Sequence, residues 1–201
     1  MSCHGVLALQ GDFREHMEML RQVGASVREV RLPEHLTNLS GLIIPGGEST
    51  TIGKLAVAYG LMEPIQRMAR EGLPIWGTCA GMILLARAVD CEQPVLGLMD
   101  LIVRRNAFGR QVESFEADLS IPALDTVASP EEMGRTFHAA FIRAPYIESV
   151  GPKATVLARL DNGIIVAAQQ GNLLATAFHP ELERDSRFHR YFLSLRHEAS
   201  T

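Results

Sequence analysis

The chain has 201 residues, 47% apolar and 21% charged, as expected of one globular domain spanning 1–201 with a full core. Its 19 basic residues are scattered among 23 acidic ones for a net charge of −4, which argues against a nucleic-acid-binding face, where positive charge is concentrated. No basic segment leads into an apolar one at Met1-Ser2-Cys3-His4, and the longest apolar runs, 82–86 and 164–168, are too short to cross a bilayer, so neither a signal peptide nor a membrane association is expected.

In chain order, residues 4–10 read as a buried strand. Asp12 follows as a helix N-cap with Glu15 three positions on, a capping-box spacing; Met17, Leu20 and Val23 form the apolar face, and Gly24 ends the helix. Residues 27–30 are a weaker strand and 41–45 a third, ending in Gly46-Gly47-Glu48-Ser49-Thr50 ahead of a helical stretch that runs to about Arg70. A fourth strand, 73–77, leads directly into Thr78-Cys79-Ala80-Gly81, and 82–89 has a helical composition. After 101–103 the period changes: 156–160, 164–168 and 173–178 are closely spaced strands, with Asp161-Asn162-Gly163 as a hairpin turn. The stretch 126–135 reads as a polar surface loop and about 186–196 as a final helix. Strands alternating with helical segments predict an α/β fold with a mostly parallel sheet and a later, partly antiparallel group.

In open α/β sheets, sites lie at the carboxyl ends of the strands, and three such ends carry unusual residues. Gly77-Thr78-Cys79-Ala80-Gly81 is a G-x-C-x-G between strand and helix, the nucleophile-elbow pattern with cysteine as nucleophile. The glycines allow a turn that side chains would block, and the helix N-terminus beneath the sulfur favours the thiolate, the form that attacks. Phe178-His179-Pro180-Glu181 follows a strand; residues two apart in an extended chain share a side, so Glu181 can orient His179 as a base for the thiol. Pro45-Gly46-Gly47-Glu48-Ser49-Thr50-Thr51 lets backbone N–H groups approach an oxygen, as in an oxyanion hole, and lacks the GKS/GKT ending of a phosphate-binding loop.

The remaining histidines, His4, His16, His35, His138, His189 and His197, lack metal-site spacing and read as surface or locally hydrogen-bonded residues. Cys3, Cys79 and Cys91 are odd in number without CxxC spacing, which fits a reducing cytoplasm and neither a disulfide scaffold nor a zinc site; Cys3 and Cys91 read as incidental. No metal and no organic cofactor is expected.

A strand ending in PGGES, the cysteine elbow and a C-terminal HPE together resemble the class I (triad) glutamine amidotransferases. More narrowly, the chain resembles the glutaminase subunits of pyridoxal 5′-phosphate synthase. The segments that carry this are LALQGDFREH (7–16), PGGESTTI (45–52), WGTCAGMILLA (76–86), RRNAFGRQVESFEADL (104–119), FIRAPYI (141–147), VAAQQG (166–171) and FHPEL (178–182). Many class I members read C-x-G-H-Q or C-x-G-M-Q at the elbow; here Ile83 stands where that Gln would be, so other groups must hold glutamine.

The resemblance implies a single flavodoxin-like three-layer domain that hydrolyses L-glutamine to glutamate and ammonia. It implies Cys79 as nucleophile, His179 as general base and acid, and Glu181 as its orienting partner. Gly47, Glu48, Ser49, Arg105, Ile142 and Arg143 would bind substrate, with Glu48 near the α-ammonium and one of the two arginines on the α-carboxylate. Backbone N–H groups of Gly46, Gly47 and Ala80 would hold the oxyanion. The ammonia would pass to a synthase subunit in a hetero-oligomer, and Gln10 and Gly11 would carry an activation signal from docking. The alternatives are a glutaminase serving another biosynthetic synthase and a cysteine hydrolase or peptidase on the same scaffold.

Overall fold

The computed structural model describes residues 3–105 and 114–195. Residues 106–113, within the 104–119 segment, lie outside the described residues, as do Met1, Ser2 and 196–201 with the expected helix end at Arg196.

Strands β1 (Cys3–Leu7), β2 (Ser26–Val30), β3 (Leu39–Ile44), β4 (Ile75–Thr78) and β12 (Leu173–Thr176) form the parallel half of a ten-stranded sheet, ordered β2-β1-β3-β4-β12. The sheet continues through β11 (Ile165–Gln170), β9 (Tyr146–Val150), β6 (Met99–Arg104) and β5 (Ala86–Val89), with β10 (Thr155–Arg159) on β11. There the β12–β11, β11–β9 and β9–β6 pairs are antiparallel. The expected mostly parallel sheet with a later antiparallel group is therefore present.

The central strands are covered on both faces. Every residue of β4 and β12 is buried, as the short continuous apolar runs required. On one face Trp76 packs against His16 of α1 (Phe13–Gln22) and against Phe188 and Phe192 of α5 (Arg187–Ser194). On the other lie α2 (Ser49–Ala58) and α4 (Ala80–Leu85). Register then fixes the site: Gly77 of β4 pairs with Ile44 of β3 and with Ala175 of β12, so the segments that follow all three strands emerge side by side.

Several local expectations are corrected. The helix expected to run to Arg70 is two, α2 and α3 (Met62–Arg70), because Gly60 takes φ 67° and closes α2. There Gly60 N–H donates to Val57 O (3.0 Å) and Leu61 N–H to Ala56 O (2.8 Å), the paired bonds of a Schellman motif. The 82–89 helix stops after six residues of α4, and Ala86–Val89 becomes β5, paired in parallel with β6; the sheet ladder outweighs the helical composition. Asp12 holds the N-cap position of α1 but makes no side-chain cap. Besides β5, the strands β6, β7 (Ser114–Leu119), β8 (Phe137–Ile142) and β9 had not been expected; β7 and β8 pair antiparallel as a separate two-stranded sheet. The 126–135 stretch is a surface loop as expected, yet it is tied to α5: Arg190 meets both oxygens of Glu132 at 2.7 Å and Val127 O at 2.8 Å.

Candidate active site

Cys79 is the residue between β4 and α4, with φ 47° and ψ −102°, a conformation that costs a non-glycine residue roughly 1–3 kcal/mol. Its N–H donates to Thr176 O at 2.8 Å, and Ile83 N–H donates to its carbonyl at 3.3 Å. The glycines of the elbow are steric requirements. A Cβ on Gly77 would lie 2.4 Å from the Gly81 carbonyl, and one on Gly81 would lie 1.9 Å from Ile44 O.

His179 follows β12, its N–H bonded to Ala140 O at 3.0 Å, and its ring is 4% exposed. Nδ1 lies 2.7 Å from Glu181 Oε1, and the Cys79 sulfur is near enough to the ring to act on its ionisation. Glu181 reaches the imidazole from a 3-10 turn at Pro180–Leu182, which corrects the expectation that strand alternation would align the two side chains. Burial alone would lower the His179 pKa, but the Cys79 sulfur and the Glu181 carboxylate outweigh it and push the pKa up to about 10. Burial raises the Glu181 carboxyl above its ordinary range, with the imidazole opposing. The arrangement thus favours the imidazolium form of His179, between the Glu181 carboxyl group and the Cys79 sulfur.

The Gly46-Gly47 turn packs directly on this pair, since a Cβ on Gly46 would lie 2.4 Å from His179 Cε1. Asp12, freed from capping, places Oδ2 at 3.5 Å from His179 Nδ1, and its N–H donates to Gly46 O at 3.1 Å. Gly11 sits against the same turn.

In front of Cys79 opens a cavity of about 480 Å³, within the range of small-molecule sites. Of the expected residues, Gln10, Gly47, Glu48, Ser49, Cys79, Ala80, Arg105 and Arg143 line it, joined by Ile83 and Pro145. His179, Glu181 and Gly46 are not among the residues that line it. Ile142 does not line it; it is 42% exposed at the end of β8, beside Arg143, which takes φ 44°.

The polar wall is tightly bonded. Glu48 caps α2, accepting from Thr51 N (2.6 Å), Thr51 Oγ1 (2.7 Å) and Thr50 N (3.2 Å). Its own N–H donates to Gln10 Oε1 at 2.7 Å. Arg105 Nη2 lies 3.2 Å from Glu48 Oε1, while Nη1 contacts Thr50 Oγ1 (3.1 Å), Gln93 Oε1 (3.2 Å) and Cys91 Sγ (3.3 Å). Cys91, read from sequence as incidental, thus touches the arginine of the cavity wall. Burial opposes ionisation of Glu48, but the Thr51 and Thr50 donors and Arg105 hold its carboxyl below the usual range. A carboxylate and two arginines beside a thiol suit a zwitterionic substrate presented for acyl transfer.

Sequence reasoning missed Asp12, His16 and His189 as neighbours of the site. His4, His16 and His189, read as surface or locally hydrogen-bonded residues, are all buried, and His16 and His189 are hydrogen-bonded to each other across 173 residues of sequence. The signal for His16 was its place in the apolar stripe of α1, between Phe13 and Leu20 at helical spacing. Among the described residues, Asp12, His179 and Glu181 bring one potential metal-ligand atom each within 4.8 Å of one another, although the 2.7 Å Nδ1–Oε1 distance is that of a hydrogen bond.

Comparison with known proteins agrees with this arrangement. A profile of the SNO glutamine amidotransferase family matches residues 6–197. The chain is 60% identical over 195 residues to the pyridoxal 5′-phosphate synthase subunit PdxT of Herpetosiphon aurantiacus, covering 95% of this chain and 98% of the relative. It is 57% identical over 194 residues to PdxT of Roseiflexus castenholzii, with the same coverage of each chain. A crystal structure of a glutamine amidotransferase, 51% identical, superposes with a TM-score of 0.87 over 96% of this chain and 97% of the other. The chain belongs to the SNO glutamine amidotransferase family.

Proposed function

We propose that Cys79, His179 and Glu181 are the catalytic triad of a glutaminase, and that the chain hydrolyses L-glutamine and delivers ammonia for pyridoxal 5′-phosphate synthesis. The observation that carries this reading is the meeting of three strand ends on one cavity, with the Cys79–His179–Glu181 chain of contacts behind it and Glu48, Arg105 and Arg143 around it.

The Cys79 thiolate attacks the side-chain amide carbon of glutamine and forms a C–S bond. The oxyanion is assigned to backbone N–H groups of Gly46, Gly47 and Ala80; the Ala80 N–H, in the first turn of α4, has no partner within its own helix. The His179 imidazolium gives its proton to the departing nitrogen, the C–N bond breaks, and ammonia leaves a glutamyl thioester. Neutral His179 then takes a proton from water, whose oxygen attacks the thioester. Glutamate leaves, and the thiolate and imidazolium are restored. Glu181 keeps Nδ1 oriented and compensates the imidazolium in each half-reaction.

Arg105 and Arg143 are candidates for the substrate α-carboxylate, and Glu48 for the α-ammonium. The Glu48–Arg105 contact supports this, because the two opposite charges that a zwitterion needs already stand side by side. Ile142 contributes at the rim. Ammonia is protonated in water and then ceases to be a nucleophile, so its producer docks on its consumer, the synthase subunit of a hetero-oligomer; the PdxT relatives are themselves named as subunits of that synthase. The bond from Glu48 N–H to Gln10 Oε1 supports Gln10 and Gly11 as the relay from docking to the cavity. Residues 1–201 act as one domain, a reading supported by a single hydrophobic cluster running from β1 to α5. No helix among the described residues is long and apolar enough to cross a membrane. Three free cysteines support a cytoplasmic location.

The test is glutamate release from glutamine, with and without the cognate synthase subunit, for the native chain, Cys79→Ala and Gln10→Ala. Turnover that rises with the synthase, vanishes in Cys79→Ala and loses its response in Gln10→Ala is expected. Residual turnover in Cys79→Ala would remove the triad assignment, and an unchanged response in Gln10→Ala would remove the relay.

A further inference from the structure

Behind the triad lies a second polar chain that the reaction as written does not use. His16 of α1 and His189 of α5 are both 0% exposed, 173 residues apart in sequence, with His16 Nδ1 3.1 Å from His189 Nε2. The other edge of His16 faces two oxygens: Nε2 is 3.1 Å from Thr78 Oγ1, next to the nucleophile, and 3.3 Å from Glu181 Oε2. Glu181 Oε2 has no aligned hydrogen bond among the described residues, so the His16 edge is the N–H on offer to it.

The tautomers follow from these contacts. A bare Nε2 lone pair on His16 would face a carboxylate oxygen, lone pair against lone pair, and would require His16 Nδ1–H to donate to His189. His189 would then carry its proton on Nδ1, which has no partner, stranding a buried donor. With the proton of His16 on Nε2 both conflicts vanish: His189 Nε2–H donates to His16 Nδ1, and His16 Nε2–H faces Thr78 and Glu181.

We infer that His16 is a positioning residue of the glutaminase site, holding the Glu181 carboxylate on the side opposite His179 while His189 fixes the His16 tautomer. This rests on the triad reading above. One oxygen of Glu181 then serves His179 and the other is anchored to α1, so the carboxylate cannot rotate away. Burial, followed by the neighbouring His189 and His179, depresses the His16 pKa well below its ordinary value. A neutral anchor fits the role, because a cation there would compete with His179 for the Glu181 charge. The long 3.3 Å contact suits a resting site whose catalytic hydrogen bonds tighten when substrate is bound.

The test compares His16→Gln, His16→Asn and His16→Leu in the chain with its cognate synthase subunit. A Gln amide reaches the position of imidazole Nε2 and can donate to Glu181, whereas an Asn amide reaches only the Nδ1 position, toward His189. Expected are a kcat within about threefold of native for His16→Gln and a loss on the order of 100-fold for His16→Asn and His16→Leu, with KM for glutamine nearly unchanged, as for a misplaced catalytic group. Iodoacetamide alkylation of Cys79, followed by mass spectrometry against pH in the free chain, should shift to higher pH in the Asn and Leu variants and return in His16→Gln. Equal losses in His16→Gln and His16→Asn, a loss confined to KM, or an unmoved alkylation profile would overturn the assignment. Should His16→Leu fail to fold, the Gln–Asn pair decides. Cys79→Ala in the same assay tests the triad itself, so its failure is distinguishable from that of His16.

Discussion

The buried histidine pair makes a quantitative prediction for the acid limb of stability. Burial depresses His189 from 6.5 to about 3, and His16 is lowered in the same direction. A depressed histidine means that the unfolded chain takes up a proton near pH 6.5 that the folded chain refuses until about pH 3, so stability falls as the pH drops through that window. Each such group contributes a slope of about 1.4 kcal/mol per pH unit, and His189 over its full window about 4.8 kcal/mol, a large share of a typical 5–15 kcal/mol. His179, raised to about 10, is protonated in both states below 6.5 and adds no slope there. The assay is urea unfolding between pH 7 and pH 4, followed by the fluorescence of Trp76, the single tryptophan, whose ring lies 5.4 Å from His16 and 5.0 Å from His189. In His189→Phe the fall in stability should be shallower by about 1.4 kcal/mol per pH unit than in the native chain. Carboxylates titrating in the same window act alike in both chains, and His16, depressed chiefly by its own burial, stays depressed without His189, so the difference reports the loss of the His189 proton uptake. Parallel curves would refute the reasoning.

Two further outcomes follow from the same geometry. Gly46→Ala places a Cβ where His179 Cε1 would be 2.4 Å away, so the ring must move and turnover should fall on the order of 100-fold; more than a tenth of native turnover would show that the ring has room. Glu132→Gln weakens the clamp on Arg190 that ties the 126–135 loop to α5, and should lower stability at pH 7 by about 0.5–1 kcal/mol, as a solvent-screened pair does. Arg190, then the Ser129 N–H, holds the Glu132 carboxyl down at about 2 against a small burial effect, so this contribution is present above pH 4.5 and is lost as the pH falls through 2. Thermal melts of both chains at pH 7 and pH 2.5 that differ equally would contradict it.

The centre of the parallel half was legible because β3, β4 and β12 are short apolar runs between turn residues, and a strand buried on both faces leaves that mark in any sequence; the edge strand β2, with mostly exposed or half-buried residues, left a weaker one. The elbow was legible because backbone sterics fix its spelling: the contacts facing Gly77 and Gly81 admit no Cβ. Strands β7 and β8 were missed although both carry a period of two. In β8 the buried Phe137, Ala139 and Phe141 alternate with more exposed residues, a pattern obscured in sequence by the small size of Ala139 and Ala140. The helical reading of 82–89 failed for a non-local reason, since pairing with β6 decides the conformation of Ala86–Val89. The Glu181 contact was expected for the wrong reason: a 3-10 turn, rather than an extended chain, carries the carboxylate to Nδ1.

What was least legible is how much of the site the first sixteen residues supply. The segment after β1 was expected to offer a docking signal at Gln10 and Gly11 and an ordinary helix start at Asp12. Beyond that, Gln10 accepts from Glu48 N–H, Gly11 packs on the Gly46-Gly47 turn, Asp12 approaches His179, and His16 reaches Glu181. These contacts are made along one short path, from the end of β1 into the second turn of α1. A displacement of that path would reach the cavity wall through Gln10, the turn through Gly11, and the triad carboxylate through His16. Only His16 lies in α1; Gln10 and Gly11 precede it, tied to the cavity wall by the bond to Glu48 N–H and to the Gly46-Gly47 turn by close packing and the Asp12 N–H bond to Gly46 O, so a shift of this short path reaches all three. On the proposed reading, a partner that moved the β1–α1 junction would act on substrate binding and on triad alignment together, without a contact between the partner and the nucleophile.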